Sequence, residues 1–392
     1  MKREKNPFIV SGKIEPKFFC DRVQESAKLI KAMENGNNLV LISPRRMGKT
    51  GLIQFCYDKP EIHDNYYTFF IDILHTTSLR EFTYILGRKI YDSILPRSKK
   101  MLMSFVQTLK SVSGRFGFDP VNNTPTFNLE LGDIYQPELT LDEIFLYLEQ
   151  AGKPCIIAID EFQQIANYPE KNIEAILRTH IQRLPNCHFI FAGSEYHIMQ
   201  EMFISAARPF YNSADIMELK AIDKNEYVRF VNKHMLANNR HIDDSLICSV
   251  YELYRGNTYA MQRTFNEAFA LTEEDSDCTK EILVTAINNI IESREPFFQE
   301  LLSSISEKHK PLLYSIAMDG EVEQITSAKF INSHKLSSAS NVQHSAKQLL
   351  ERGVITRIKN RYYITEPFFA LWINMLYGKG SFFAKEMTIF GV

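Results

Sequence analysis

Leu39-Val40-Leu41-Ile42-Ser43-Pro44-Arg45-Arg46-Met47-Gly48-Lys49-Thr50 reads as a strand that runs into a loop and leaves it through Gly-Lys-Thr into a helix. The run Leu39 to Ile42 is uniformly apolar, so both faces of the strand should be covered. A helix that opens at Lys49 turns unpaired backbone N–H groups and the positive end of its dipole toward the loop, which suits an anion. The spacing is that of G-x-x-x-x-G-K-[ST], with Ser43 in the place of the first glycine. Gly48 would let the backbone approach a phosphate, Lys49 would reach the terminal phosphates, and Thr50 would offer a hydroxyl to Mg²⁺. Ser43, Pro44, Arg45, Arg46, Met47, Gly48, Lys49, Thr50 and Gly51 are therefore the candidate nucleotide-binding stretch. Gly-Lys-Thr alone also occurs in ordinary surface turns; the strand before it and the helix after it favour the phosphate reading.

A second stretch strengthens that reading. Pro154-Cys155-Ile156-Ile157-Ala158-Ile159-Asp160-Glu161 is an apolar strand that ends in two carboxylates about a hundred residues after the loop. A magnesium-nucleotide site needs an acidic group at the C-terminal edge of a strand, and Asp160 is the candidate to hold the ion through water beside Thr50. Glu161 is the candidate base that orients and deprotonates the attacking water, and Lys49 shares the catalytic assignment. His188-Phe189-Ile190-Phe191-Ala192-Gly193-Ser194-Glu195 is another apolar strand ending in small and polar residues. Ser194 is the candidate to sense the γ-phosphate, with Glu195 a weaker one and plain packing the alternative for each.

Around these motifs the first half alternates short apolar runs with amphipathic stretches, the pattern of a parallel sheet covered by helices. Strands are expected at 38–42, 67–73, 155–159, 188–192 and 215–219. Between Lys99 and Pro137 the pattern weakens, and the alternation from Thr126 to Leu131 suggests an inserted hairpin on the edge of the sheet. Thr140-Leu141-Asp142-Glu143 has the form of a capping box that opens a helix. After Leu219 strands give way to helices, expected at 224–238, 243–254, 259–272 and 280–293. From Ser306 three further helices, the last over 339–352, precede two strand-like runs around Lys359-Asn360-Arg361, which describes a winged helix. The expected fold is α/β: a P-loop NTPase core with a parallel sheet covered by helices over 1–219, with an insert at about 99–137, then a helical lid over 220–300. A winged-helix domain over 301–375 and a tail over 376–392 complete it.

Composition removes other classes. The chain has 392 residues, 45% of them hydrophobic and 23% charged, enough to bury more than one core. Lys plus Arg number 45 against 47 Asp plus Glu, so no global field draws the protein to nucleic acid or membrane and any such binding must be local. The 6 cysteines include no C-x-x-C pair, which argues against a zinc site or disulfide framework and for reduced thiols in the cytoplasm. The longest apolar runs fall far short of the roughly 20 residues that cross a bilayer, and Phe8-Ile9-Val10 is too short for a signal-peptide core.

Asn6-Pro7-Phe8, Phe18 to Glu25, Ser43 to Thr50, Asp160-Glu161-Phe162-Gln163, Gly193-Ser194 and the closing Tyr363 to Trp372 together resemble the archaeal-type ATPase family, a branch of the STAND group related to AAA+ ATPases. The resemblance covers most of the chain. It implies an ATP-hydrolysing molecular switch that uses ATP and Mg²⁺, and it places Phe19, Asp21 and Arg22 near the adenine base. The family often has a Gly-Arg pair after a Pro-aromatic-Tyr step; here Arg208-Pro209-Phe210-Tyr211-Asn212-Ser213 lacks that arginine, and Arg208 is the substitute candidate, with a surface salt bridge the alternative. Arg263 is a candidate lid sensor. The resemblance also leaves open a protein partner or self-association.

A different class of function is a nucleotide-gated DNA-binding regulator. Asn341, Gln343, His344 and Lys347 on the helix 339–352, with Arg357, Lys359 and Arg361 in the wing, would carry it. A small-molecule kinase would share the phosphate loop but has no need of the Asp-Glu pair, the helical region or the winged helix.

Overall fold

The computed structural model describes residues 5–94, 99–119, 124–127, 129–358 and 360–377. The chain divides into two compact units: one of Arg22–Pro44 and Lys49–Lys220, here called the sheet unit, and one of Met1–Asp21, Arg45–Gly48 and Ala221–Val392, the helical unit. The tip of the candidate loop thus groups with the helical unit, while its flanks belong to the sheet.

In the sheet unit the strands are β1 (Leu39–Ile42), β2 (Tyr67–Asp72), β3 (Phe116–Asp119), β4 (Thr124–Phe127), β5 (Cys155–Asp160), β6 (Cys187–Gly193) and β7 (Asp215–Glu218). Five of them form one parallel sheet in the order β2-β5-β6-β1-β7. The uniformly apolar runs occupy its interior: β1 and β5 are buried at every position, as strands covered on both faces must be. The edge strands β2 and β7 alternate or lie partly open. The order sets the candidate loop after β1 and the Asp160-Glu161 pair after β5 at the same C-terminal edge, with the end of β6 between them. Phe162, Phe191, Phe203 and Phe210 pack beneath that edge with ring centroids 4.6 to 5.9 Å apart.

Two local expectations are corrected. β3 and β4 do pair antiparallel, but as a separate two-stranded sheet and not on the edge of the main one; Asn128, within the expected alternation, lies outside the described residues. The helix expected to open at Thr140 opens at Pro137, because proline at the first helical position has its φ already set. Thr140 is then internal, its hydroxyl donating to the Gln136 carbonyl at 3.2 Å, and Glu143 accepts from the Ser111 N–H and hydroxyl instead of capping.

In the helical unit the helices Lys224–Leu236, Asp244–Leu253, Thr258–Leu271 and Lys280–Ser303 are opened by the side chains of Asp223, Asp243, Asn257 and Thr279, each accepting an orphan N–H of the first turn. The last runs well past the expected end at 293. Helices Lys310–Asp319, Ala328–Ser333 and Ala339–Glu351 and the hairpin Ile355–Ile358 with Arg361–Ile364 form the winged helix, followed by the helix Pro367–Tyr377. One apolar cluster runs from Phe8 through Phe265 and Ile290 to Leu349 and Phe369, so the helices of the two expected C-terminal domains share a core. The N-terminal segment, expected within 1–219, joins this unit: Phe8 is fully buried against Phe230, Phe265 and Phe269, while Asn6 Nδ2 donates to the Asn266 carbonyl and Asn266 Nδ2 to the Phe8 carbonyl, each at 2.8 Å.

Candidate active site

Ser43 shows why the loop tolerates a residue other than glycine at its entrance. Its φ is not in the left-handed region, it is fully buried, and its N–H donates to the Gly193 carbonyl at 3.2 Å, extending the pairing of β1 with β6. Gly48 is different: its φ is +91°, and a Cβ built there would meet nothing within 4 Å. The loop therefore needs glycine for its backbone and presents open space at that point.

Lys49 and Thr50 open the helix Lys49–Tyr57. Lys49 is 7% exposed, with its ammonium 3.8 Å from Glu161 Oε1. The Thr50 hydroxyl donates to Asp160 Oδ2 at 2.8 Å. The two oxygens proposed to serve a metal are thus side by side, although their residues stand far apart in sequence. Burial pushes the Asp160 carboxyl above the ordinary carboxylate range, against the pull of Lys49 and the Thr50 hydroxyl. Among the described residues no group of three or more His, Cys, Asp or Glu could hold a metal by itself. A hydroxyl and one carboxylate fit a hard ion that keeps phosphate oxygens and water as its other ligands.

Glu161 sits in the left-handed conformation, φ 56°, at the turn out of β5. Its Oε2 accepts from the Ser194 hydroxyl at 2.6 Å and from Gln163 Nε2 at 2.5 Å. Ser194, expected as a phosphate sensor, is thus bonded to the candidate base. Lys49, Thr50, Asp160, Glu161, Gln163 and Ser194 form one connected group at the C-terminal edge of the sheet. A profile described as an ATPase domain predominantly from Archaea matches residues 19–264, more than half of the chain. The chain belongs to this ATPase family. A second profile, a probable winged helix domain, matches residues 296–375.

Solved structures agree on the fold. The Walker-type ATPase PABY2304 of Pyrococcus abyssi is 20% identical, over 94% of this chain and 99% of that one, with a TM-score of 0.64. The ORC2 protein of Aeropyrum pernix, in ADPNP-ADP complexes, is 12% identical over 99% and 98% of the two chains, at 0.57. The ORC1 protein of the same organism, in complex with DNA, is 12% identical over 94% and 96%, at 0.53. No curated protein matches the sequence. The enzyme is a P-loop ATPase.

The remaining predicted residues of the ATPase are placed less simply. Pro44 is half-buried, Arg45 exposed, Met47 buried and Gly51 half-buried. Arg46, at φ +68°, turns its guanidinium over the Tyr259 ring, 4.4 Å from the centroid, and pairs it with Glu366. Phe19 is half-buried in the helical unit, and Asp21 and Arg22 are consecutive left-handed residues at the boundary of the two units. Arg22 is 3% exposed and donates to the Lys220 carbonyl at 2.7 Å and to Glu25 at 3.0 Å. Arg208 holds Glu174 with two nitrogens and Glu201 at 2.6 Å, so it reaches a phosphate only by giving up both carboxylates. Glu195 is exposed and caps no helix with its side chain, and Arg263 is 4.0 Å from Glu267. Gln163 was not singled out by sequence reasoning. It stood in the sequence only as the last residue of the Asp160 to Gln163 run that carries the family resemblance, with no role attached.

Proposed function

We propose that the protein binds Mg·ATP on the Ser43–Gly51 loop, hydrolyses it, and uses the nucleotide state to switch the arrangement of its domains, as a member of the STAND group. The observation that carries this reading is the contact of Thr50 with Asp160 at 2.8 Å beside the approach of Lys49 to Glu161. Two segments far apart in sequence meet there, which supports a metal-bound triphosphate at this edge of the sheet. Lys49 would neutralise the terminal phosphates, and the amides leading to Thr50 would wrap them. Thr50 and Asp160 would hold Mg²⁺, which when bound draws charge from the phosphate oxygens. Glu161 would orient the attacking water and take its proton, with Ser194 fixing the carboxylate.

Support for switching comes from the loop tip. Within the helical unit the Tyr259 N–H donates to the Arg46 carbonyl at 3.2 Å, and the Thr258 hydroxyl to the Met47 carbonyl at 3.5 Å. A loop that must wrap a triphosphate is therefore tied to the part of the chain that would respond. The described cysteines are all free, including the register neighbours Cys155 and Cys187, which supports a reducing, cytoplasmic setting. Among the described residues no helix is long and apolar enough to cross a membrane.

The test is ATP turnover by the purified chain, with its mass measured in ATP and in ADP to detect self-association. Glu161→Gln should retain ATP and hydrolyse it at least about a hundredfold more slowly. Unchanged turnover in both Lys49→Ala and Glu161→Gln defeats the proposal.

A second reading, nucleotide-gated DNA binding, is favoured by one observation: Asn341, Gln343, His344 and Lys347 are all exposed on the Ala339–Glu351 helix. The similar ORC1 structure in complex with DNA adds to it. The wing is partly committed elsewhere, since Arg361 pairs with Glu321 at 2.5 Å and Arg357 bonds Asn360 at 2.7 Å; Lys359 lies outside the described residues. Affinity for duplex DNA that falls steeply with salt, and less steeply after Arg357→Ala, would support it; no binding at low salt removes it.

A further inference from the structure

We propose that Gln163 is a positioning residue that holds the Glu161 carboxylate for catalysis. This inference rests on the reading of Glu161 as the base and extends it to a residue outside the loop and the Asp-Glu pair.

The left-handed turn at Glu161 folds the chain back on itself, so that the residue two positions on can reach the carboxylate it has just left. Gln163 does so. It is 1% exposed, and its Nε2 donates to Glu161 Oε2 at 2.5 Å and approaches Ser194 Oγ at 3.5 Å. Ser194 donates to the same Oε2 at 2.6 Å, so one oxygen of the carboxylate is fixed by two donors from different strands' ends. The other oxygen is directed toward Lys49. A donor to a carboxylate both orients it and strengthens its hold through charge assistance.

Two further observations tie other positions to this arrangement. A Cβ at Gly193 would stand 2.7 Å from Gln163 Oε1 and 2.5 Å from Met199, so the glycine before Ser194 is what leaves room for the carboxamide. Gln163 Oε1 is itself buried without a hydrogen-bond partner. Burying an unpaired carbonyl costs folding free energy that an apolar side chain of similar size would avoid. Packing alone would favour leucine here; what glutamine adds is the donor that Glu161 receives.

The experiment compares Gln163→Leu, Glu161→Gln and the double variant in steady-state ATP hydrolysis and thermal melting. Gln163→Leu should lower kcat about tenfold with KM within about threefold, since it disturbs the base and not the phosphate grip. Its melting temperature should be unchanged or higher. In the Glu161→Gln background the same substitution should have no further effect on kcat, because the group it positions is already gone. Equal losses of kcat in the two backgrounds, or wild-type kcat in Gln163→Leu, overturn the proposal while leaving Glu161 as the base. A fall in kcat accompanied by a lowered melting temperature assigns Gln163 to packing and also overturns it. A wild-type chain without turnover, or a Glu161→Gln variant with full turnover, overturns the underlying reading and this one together.

Discussion

Gly48→Ala separates the phosphate-cradle reading from ordinary loop strain. Gly48 has φ +91° and open space where a Cβ would stand. Alanine therefore strains the backbone there without colliding with any neighbour in the free protein. Left-handed backbone costs an L residue about 1–2 kcal/mol, equivalent to a melting temperature lower by about 2–8 °C in a domain of this size. Gly12 supplies the control, with φ +81° and again nothing within 4 Å. Gly12→Ala should show a similar strain cost, so the two variants should differ little as free proteins. In the presence of Mg·ATP they should part. If the space at Gly48 receives phosphate, the added methyl group displaces the nucleotide, and affinity should fall at least tenfold, about 1.4 kcal/mol. Titration calorimetry with a non-hydrolysable ATP analogue, beside thermal melting of both variants with and without it, measures each part. Wild-type affinity in Gly48→Ala would show that the open space faces something other than the nucleotide and would refute the argument.

Thr50→Val removes the hydroxyl that meets Asp160 at 2.8 Å; the Mg²⁺ concentration for half-maximal turnover should rise about tenfold or more, as for loss of a direct ligand. Arg208→Ala should lower the melting temperature, since the mostly buried Glu174 carboxylate loses its two-nitrogen partner, while kcat stays within about threefold; a large loss of kcat at unchanged stability would instead assign Arg208 to the phosphate. His234 lies against Phe8, Phe18 and Phe230, and burial, with Lys233 nearby, holds its imidazole below the ordinary 6.5. The unfolded chain then takes up a proton first as pH falls, so His234 contributes stability that is present above that ordinary value and is lost as pH falls toward the lowered folded one. Melting temperature followed from about pH 7 to pH 5 should fall less in His234→Phe than in wild type, and identical slopes would contradict the assignment.

The sequence was most legible where a residue's neighbours are covalently close or where burial is complete. The interior strands could be placed to within a residue because a run such as Cys155 to Ile159, covered on both faces, leaves no ambiguity of period. Gly48, Lys49 and Thr50 could be singled out as candidates because phosphate chemistry of this kind depends on contiguous backbone. Local signals failed where something nearby outranked them. The apparent capping box at Thr140 lost to Pro137, which starts the helix earlier. The helix expected to stop at Ser293 continues through Pro296 to Ser303, since Phe298 and Leu302 are buried beyond it. Tertiary burial there outweighs one missing backbone hydrogen bond.

What the sequence did not disclose is which side chains hold the chemistry in place. Ser194, the candidate phosphate sensor, donates to Glu161, and the guanidinium of Arg46, in the candidate loop, is held by Tyr259 and Glu366. Gln163 was visible as part of the Asp160 to Gln163 run but carried no role, because a buried glutamine next to an acidic turn has many ordinary explanations. In each case the motif residue was visible and its partner was not, since the partner is chosen by strand order and turn geometry and not by spacing. That difference also bears on how the ATPase would be altered without losing nucleotide. On the proposed reading, substitutions in the Gly48 to Thr50 stretch would act on the phosphate directly. Substitutions at Gln163 would leave the loop whole and act only on the carboxylate, so kcat should respond to them while affinity for the ATP analogue does not. If affinity moves in step with kcat at Gln163, the loop and the carboxylate are one mechanical unit, and the division drawn here between binding ATP and breaking it fails.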